Sequence, residues 1–209
     1  MPQVLLATRN AGKLRELRQL TAGLPIVWRG LIEFAGIPDA REDGSTFAEN
    51  ARRKALHYAQ ATGLYTLADD SGLEVDALAG APGVLSARYA GRLGDAAASD
   101  MANNRKLLEA LAGVPLEKRT ARFRCAMAFA RPTAVLCESA GVLEGVIGLA
   151  PSGQNGFGYD PLFLITDLGR TLAELPAEQK NAISHRGRAL RAILPQIQAH
   201  LRCECQWTI

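Results

Sequence analysis

Apolar positions along the chain switch between alternation and helical spacing, and the switches divide it into elements. Gln3 to Ala7 predict a first strand, followed at once by the polar stretch Thr8-Arg9-Asn10-Ala11-Gly12-Lys13 and by Leu14, Leu17 and Leu20 at helical spacing. The order is strand, polar loop, helix. Pro25 to Trp28 predict a second strand, after which Gly30, Gly36 and Pro38 break the pattern as far as Arg41. A helix capped by Ser45 or Thr46 runs to Gly63, with Ala48, Ala51, Ala55 and Ala59 on one close-packing face. Leu64 to Ala68 suit a buried strand that stops at Asp69-Asp70, with Ser71-Gly72 as its turn.

The second half alternates more strictly. A helix from about Ala96 to Ala112 carries Met101, Leu107, Leu108 and Leu111. From Arg122 to Ala130, Phe123, Cys125, Met127 and Phe129 share one side, which predicts a half-buried strand. Arg131-Pro132-Thr133 turns it into a second, antiparallel strand over Ala134 to Ala140, and a short third strand follows around Gly141 to Gly148. Ser184 caps a last helix through Ala189, Ile193, Ile197 and Leu201, with a kink or break expected at Pro195.

Length and charge narrow the picture. A chain of 209 residues, 48% hydrophobic and 22% charged and without repeat or linker, is read as one domain over residues 1–209 that a cleft can divide into two lobes. A net charge of +3 is too slight for a nucleic-acid coat, although clustered cations can still hold a small polyanion. There is no long apolar run, and the first apolar stretch is cut short by Thr8 and Arg9, so no signal peptide or membrane span is expected and the protein is read as cytoplasmic. Cys125, Cys137, Cys203 and Cys205 are too few and irregular for a disulfide framework. The Cys203-x-Cys205 pair lacks the further ligands of a metal site and reads as an incidental tail.

Several polar positions carry candidate chemistry. The loop from Thr8 to Lys13 puts free backbone N–H groups, a helix N-terminus, Arg9 and Lys13 together, which suits a phosphate, although Asn10 alone also serves as an ordinary cap. Asn50 and Lys54, four apart, can reach one ligand from one side of their helix, or belong with Arg52 and Arg53 to a solvated charged face. Asp69 and Asp70 point to opposite sides if strand alternation holds through them. Arg88 offers phosphate a bidentate clamp. Glycines at 153, 156 and 158 allow close backbone approach, Phe157 or Tyr159 can stack on a flat ring, and Asp160 can accept hydrogen bonds from it; the same segment equally suits a tight structural turn with its aromatics in the core. His185 and Arg186 place cations against a helix dipole, which hints at an anionic or carbonyl-bearing ligand.

Taken in order, Thr8 to Lys13, Thr46-Phe47 with Glu49-Asn50-Ala51 and Lys54-Ala55, Ala68 to Leu73, Ser86-Ala87-Arg88-Tyr89, Gly156 to Pro161 and Ile183 to Gly187 closely resemble the Ham1/RdgB-like family of inosine/xanthosine triphosphate pyrophosphatases. The resemblance implies an α/β fold, an elongated mixed β-sheet flanked by helices, with two lobes and a central cleft. It also implies a homodimer, a Mg²⁺ requirement, and hydrolysis of a non-standard purine nucleoside triphosphate (ITP, dITP, XTP) to the monophosphate and pyrophosphate. Asp70 is then the proton acceptor for the attacking water, with Asp69 beside it. Glu42 and Asp70 suit Mg²⁺, which prefers carboxylate and phosphate oxygens plus water.

Substrate contacts implied by the same motifs include Thr8, Ala11, Gly12, Ser71, Gly158 and Tyr159. Arg9, Lys13, Lys54, Arg88, Lys180 and Arg186 would offset the roughly four negative charges of a triphosphate. Base choice has a physical rationale. His185, Arg186 and backbone N–H groups would donate to a purine O6, Asp160 would accept from the purine edge, and Phe157 would stack. Adenine would leave buried groups unpaired. Two departures stand out: Arg41-Glu42-Asp43-Gly44, where relatives often carry two glutamates, and Arg9, where they often carry a small residue. A Maf-like pyrophosphatase of pyrimidine or modified nucleotides and a non-catalytic purine-nucleotide sensor are the competing readings.

Overall fold

Asn10 accepts the Lys13 amide through its side chain, and that cap starts helix α1 (Ala11–Leu20) directly after strand β1 (Gln3–Leu6). The computed structural model describes residues 1–91 and 94–205, without the side chains of 203–205, so the Cys203-x-Cys205 reading lies outside the described residues. Strand β2 (Val27–Gly30) follows, then helix α2 (Phe47–Thr62), which Thr46 caps and which ends at Gly63 in the left-handed region. Strand β3 (Tyr65–Val75), helix α3 (Ala96–Ala110), strands β4 (Thr120–Arg131), β5 (Ala134–Ile147), β6 (Phe163–Ile165) and β7 (Arg170–Thr171), and helices α4 (Ala177–Ile183) and α5 (His185–Cys205) complete the order.

The strands form a seven-stranded mixed sheet in the order β2-β1-β3-β4-β5-β6-β7. Strand β1 lies parallel to both β2 and β3, while β6 is antiparallel to β5 and β7. Pro132 and Thr133 join β4 to its neighbour β5, a link too short for any pair but an antiparallel one. The α/β class with a mixed sheet is as expected.

The chain divides into two compact units, one of residues 1–70, 125–141 and 186 onward, the other of residues 71–124 and 142–185. The first is built on a core of Leu6, Leu17, Leu67, Met127, Phe129, Ile193 and Ile197. In the second, Leu73, Leu107, Leu111, Phe123, Leu143, Ile147 and Phe163 form the core. Strands β3 and β4 contribute to both cores, which accounts for their length.

Four expectations are corrected. Strand β3 does not stop at the two aspartates; it continues through Ser71 and Gly72 because Leu73 and Val75 extend the buried alternation. The predicted strands over 134–140 and 141–148 are one strand, β5. Strand β4 is half-buried only at its start; from Cys125 to Ala130 both sides are covered, the small Ala126, Ala128 and Ala130 as well as their large neighbours. Helix α5 runs through Pro195 without a break. Pro195 and Arg191 lie on its exposed face, so the carbonyl that loses its partner can turn to water while Ile193 and Ile197 stay buried.

A tight spot in the second unit is testable. Gly153 has φ +82, and a Cβ there would sit 2.3 Å from the Ala173 carbonyl carbon. Gly153→Ala is expected to lower unfolding free energy by about 3 kcal/mol through the clash and the left-handed backbone. Urea denaturation with an unchanged m-value is the check.

Candidate active site

The side-chain alternation of β3 aims its two acids at different helices. Asp69 receives Lys13 of α1, whose Nζ lies 2.9 Å from Oδ2, and Arg186 of α5, whose Nε lies 3.4 Å from the same atom. Arg186 is also paired with Glu16, one turn beyond Lys13. Asp69, Arg186 and Glu16 are all buried. Burial works to raise the Asp69 pKa, but Lys13, Arg186 and Lys54 outweigh it and hold the carboxyl well below the usual range. Burial likewise works to lower that of Arg186, and Glu16 and Asp69 reverse the sign. The guanidinium expected to donate to a purine O6 is thus directed at Glu16 and Asp69. Beside this cluster, burial and Asp69 push the Cys125 thiol up to about 12, which makes it inert.

Asp70 faces α2. Asn50 Nδ2 donates to its Oδ2 at 3.0 Å, and Lys54 Nζ lies 3.3 Å from Oδ1. The same ammonium lies 3.5 Å from Glu42 Oε1, so two carboxylates converge on one cation. Burial acts to lower the Lys54 pKa, but Asp70, Asp69 and Glu42 raise it, so the amine stays charged. Asn50 is fixed from behind: its Oδ1 accepts the Gly44 amide at 2.9 Å. A Cβ at Gly44 would come within 2.7 Å of that oxygen, which is why the sharp loop after Glu42 needs glycine there. Among the described residues no group of three or more His, Cys, Asp or Glu could hold a metal. Two hard carboxylates suit an ion that takes its remaining ligands from phosphate and water.

In the first loop, the Thr8 hydroxyl accepts the Asn10 amide at 3.2 Å, Ala11 is exposed, and Gly12 is buried. Arg9 turns toward the following loop, donating to Asp39 Oδ1 at 2.7 Å and to the Ile37 carbonyl at 2.9 Å. Both partners of that ion pair are exposed, so it adds little stability.

The second unit holds the other predicted residues. Asp160 is buried; its Oδ2 accepts the Phe157 amide at 2.8 Å and pairs with Lys180. Lys180 Nζ also lies 4.8 Å from the Phe157 ring centroid. A Cβ at Gly156 (φ +79) would fall 2.0 Å from Asp160 Oδ2, so this turn needs its glycine. Tyr159 is not a stacking platform: it is buried in the core and its hydroxyl donates to the Ser86 carbonyl at 2.8 Å. His185 lies buried and stacked on Phe123, with centroids 4.7 Å apart. Ser71 is half-buried on β3, and Arg88, also half-buried, ends a short 3₁₀ segment over Gly83–Arg88.

Three contributors escaped the sequence reading. Glu16 is one. The others are Asp100 and Asn104 of α3, which hold Gly158: its N–H donates to Asp100 Oδ2 at 2.7 Å, and Asn104 Nδ2 donates to its carbonyl at 2.9 Å. The backbone N–H groups of Phe157 and Gly158 are therefore already committed to Asp160 and Asp100, not open to a purine O6. The signal was present in Asp100, Asn103, Asn104 and Leu107, a polar stripe at helical spacing that runs into a core leucine.

A mixed α/β sheet whose third strand carries two buried aspartates, met by lysines of α1 and α2 and an arginine of α5, is suited to binding a polyanion and moving a proton near it. The Ham1 family matches residues 4–196. A dITP/XTP pyrophosphatase of Geobacter sulfurreducens is 54% identical over 91% of this chain and 94% of its own. One of Desulforamulus reducens is 53% identical over 90% and 92%. The solved structure of a HAM1 protein from Coxiella burnetii superposes with a TM-score of 0.84 at 44% identity, covering 95% of this chain and 100% of its own. The chain belongs to the Ham1 family. No described helix is long and apolar enough to cross a membrane.

Proposed function

We propose that this protein hydrolyses dITP, ITP and XTP to the nucleoside monophosphate and pyrophosphate with Mg²⁺, so clearing non-standard purines from the nucleotide pool. The observation that carries the reading is the division of labour on β3. Asp69 is taken up by two cations, whereas Asp70 is oriented by a neutral amide and by a lysine that Glu42 shares. The curated names of relatives at 54% and 53% identity support the same reaction. The family match over residues 4–196 spans both units and supports reading the chain as one functional domain. A homodimer and a cytoplasmic location complete the proposal.

In this mechanism Asp70 accepts the proton of a water that attacks the α-phosphorus, and the bond to the α–β bridging oxygen breaks. Asn50 holds the carboxylate in orientation, and Lys13 and Lys54 offset the charge that grows on the phosphates. Glu42 and Asp70 would hold Mg²⁺, which would supply further neutralisation of the phosphate charge. In the second unit Phe157 supplies a ring face for the purine, with Lys180 and Asp160 fixing its loop.

The experiment is pyrophosphate release with Mg²⁺ from ITP, XTP and dITP set against ATP, GTP and dTTP. Release from the first three alone is expected. Preference for dTTP would point to a Maf-like activity, and ITP binding without turnover would make the protein a sensor. Lys13→Ala and Lys54→Ala are each expected to raise KM about tenfold or more by removing a charge-assisted phosphate contact. Unchanged KM values in steady-state kinetics would remove both lysines from the substrate. Chelation of divalent ions is expected to abolish release and Mg²⁺ to restore it; full turnover in excess EDTA would exclude the Glu42 and Asp70 assignment.

A further inference from the structure

Gly158 is held on both sides by one helix. Its N–H donates to Asp100 and its carbonyl accepts from Asn104, and these residues stand four apart on α3. Gly158 lies at φ +63, a backbone state open to glycine, and a Cβ there would meet nothing within 4 Å. The grip is therefore polar and not steric. The preceding amide, that of Phe157, is donated to Asp160, so two consecutive N–H groups point into two carboxylates. The same helix fixes a second segment: Asn103 Oδ1 accepts the Ala90 amide at 2.7 Å, and its Nδ2 donates to the Ser86 carbonyl at 3.3 Å.

We propose that α3 is a brace for base recognition, with Asp100 and Asn104 as positioning residues that set the Phe157 ring through Gly158. This rests on the functional reading above, in which Phe157 meets the purine. The brace acts on the base loop of the second unit, while the phosphate cations Lys13 and Lys54 belong to the first. Its loss should therefore weaken nucleotide recognition and leave the phosphate grip as it was.

The test compares Asp100→Ala, Asn104→Ala and the conservative Asp100→Asn with the unaltered protein, using dITP as substrate and inorganic triphosphate as competitive inhibitor. Each alanine variant is expected to raise KM for dITP about tenfold, the loss of one strong hydrogen bond, with kcat within about threefold. Inhibition by inorganic triphosphate should not change. Asp100→Asn keeps an oxygen facing the Gly158 amide and should restore KM to near its original value. Hydrogen exchange at the Gly158 amide should quicken in Asp100→Ala. Wild-type KM in both alanine variants, a parallel loss of triphosphate inhibition, or unaltered exchange at Gly158 would each overturn the brace alone. Absence of pyrophosphate release from dITP by the wild type would overturn the functional reading and the brace with it.

Discussion

Asp70→Asn is expected to lower kcat for pyrophosphate release by about three orders of magnitude while KM changes less than about threefold, the range for removing a general base. The substitution keeps the shape of the side chain. Its oxygen can still accept from Asn50, which now lies 3.0 Å from Oδ2 of the carboxylate. It cannot take a proton from water. Lys54 keeps Glu42 as a partner, so the fold should survive, and an unchanged far-ultraviolet spectrum with a Tm within a few degrees would establish that. Single-turnover measurements would separate the chemical step from binding. A kcat equal to that of the wild type would move the proton acceptor elsewhere, and Asp69 would not be the next choice, because Lys13 and Arg186 hold it tightly ionised.

The largest expected loss of stability comes from Arg186→Leu. Arg186 is 2% exposed and is the cation shared by Asp69 and Glu16. Removing one partner of a buried ionic set costs about 3–5 kcal/mol, because the remaining charges keep their desolvation penalty. That loss should depend on pH in a definite direction. In the wild type the Asp69 carboxyl is depressed, so its contribution is present above the unfolded carboxylate range near pH 4 and is lost as pH falls through the folded value. In the variant, Asp69 loses one of the cations that depress its pKa, so that pKa rises and protonation relieves the penalty on acidification. The stability gap measured by urea denaturation at pH 7 should therefore narrow toward pH 4. A constant gap would mean that the guanidinium acts through packing alone.

Much of this was readable because the site is written in local motifs. Asn10 and Thr46 cap the expected helices, Gly63 ends the second, and the opposite facing of Asp69 and Asp70 follows from strand alternation. What was not readable depended on long-range partners. A sequence cannot show that Leu73 and Val75 keep the strand going beyond the aspartates, since turn chemistry at Ser71-Gly72 and continued burial look alike locally. Tyr159 gave the same ambiguity: a ring in a glycine-rich loop suits a platform and a core position equally until Ser86 is found accepting its hydroxyl. Glu16 carries no local signal of its role, because its partner, Arg186, lies far along the chain.

The position of the acids within β3 has a bearing on timescale. Leu67 precedes them in one buried core and Leu73 follows them in another, so the carboxylates belong to the middle of a strand and not to a loop that can swing. Freeing them takes cooperative opening of that strand, a rare event compared with loop fluctuation. Proteases and exchange chemistry should therefore reach Asp70 among the last residues of the protein, and substrate arriving there meets a carboxylate whose direction was set when the chain folded.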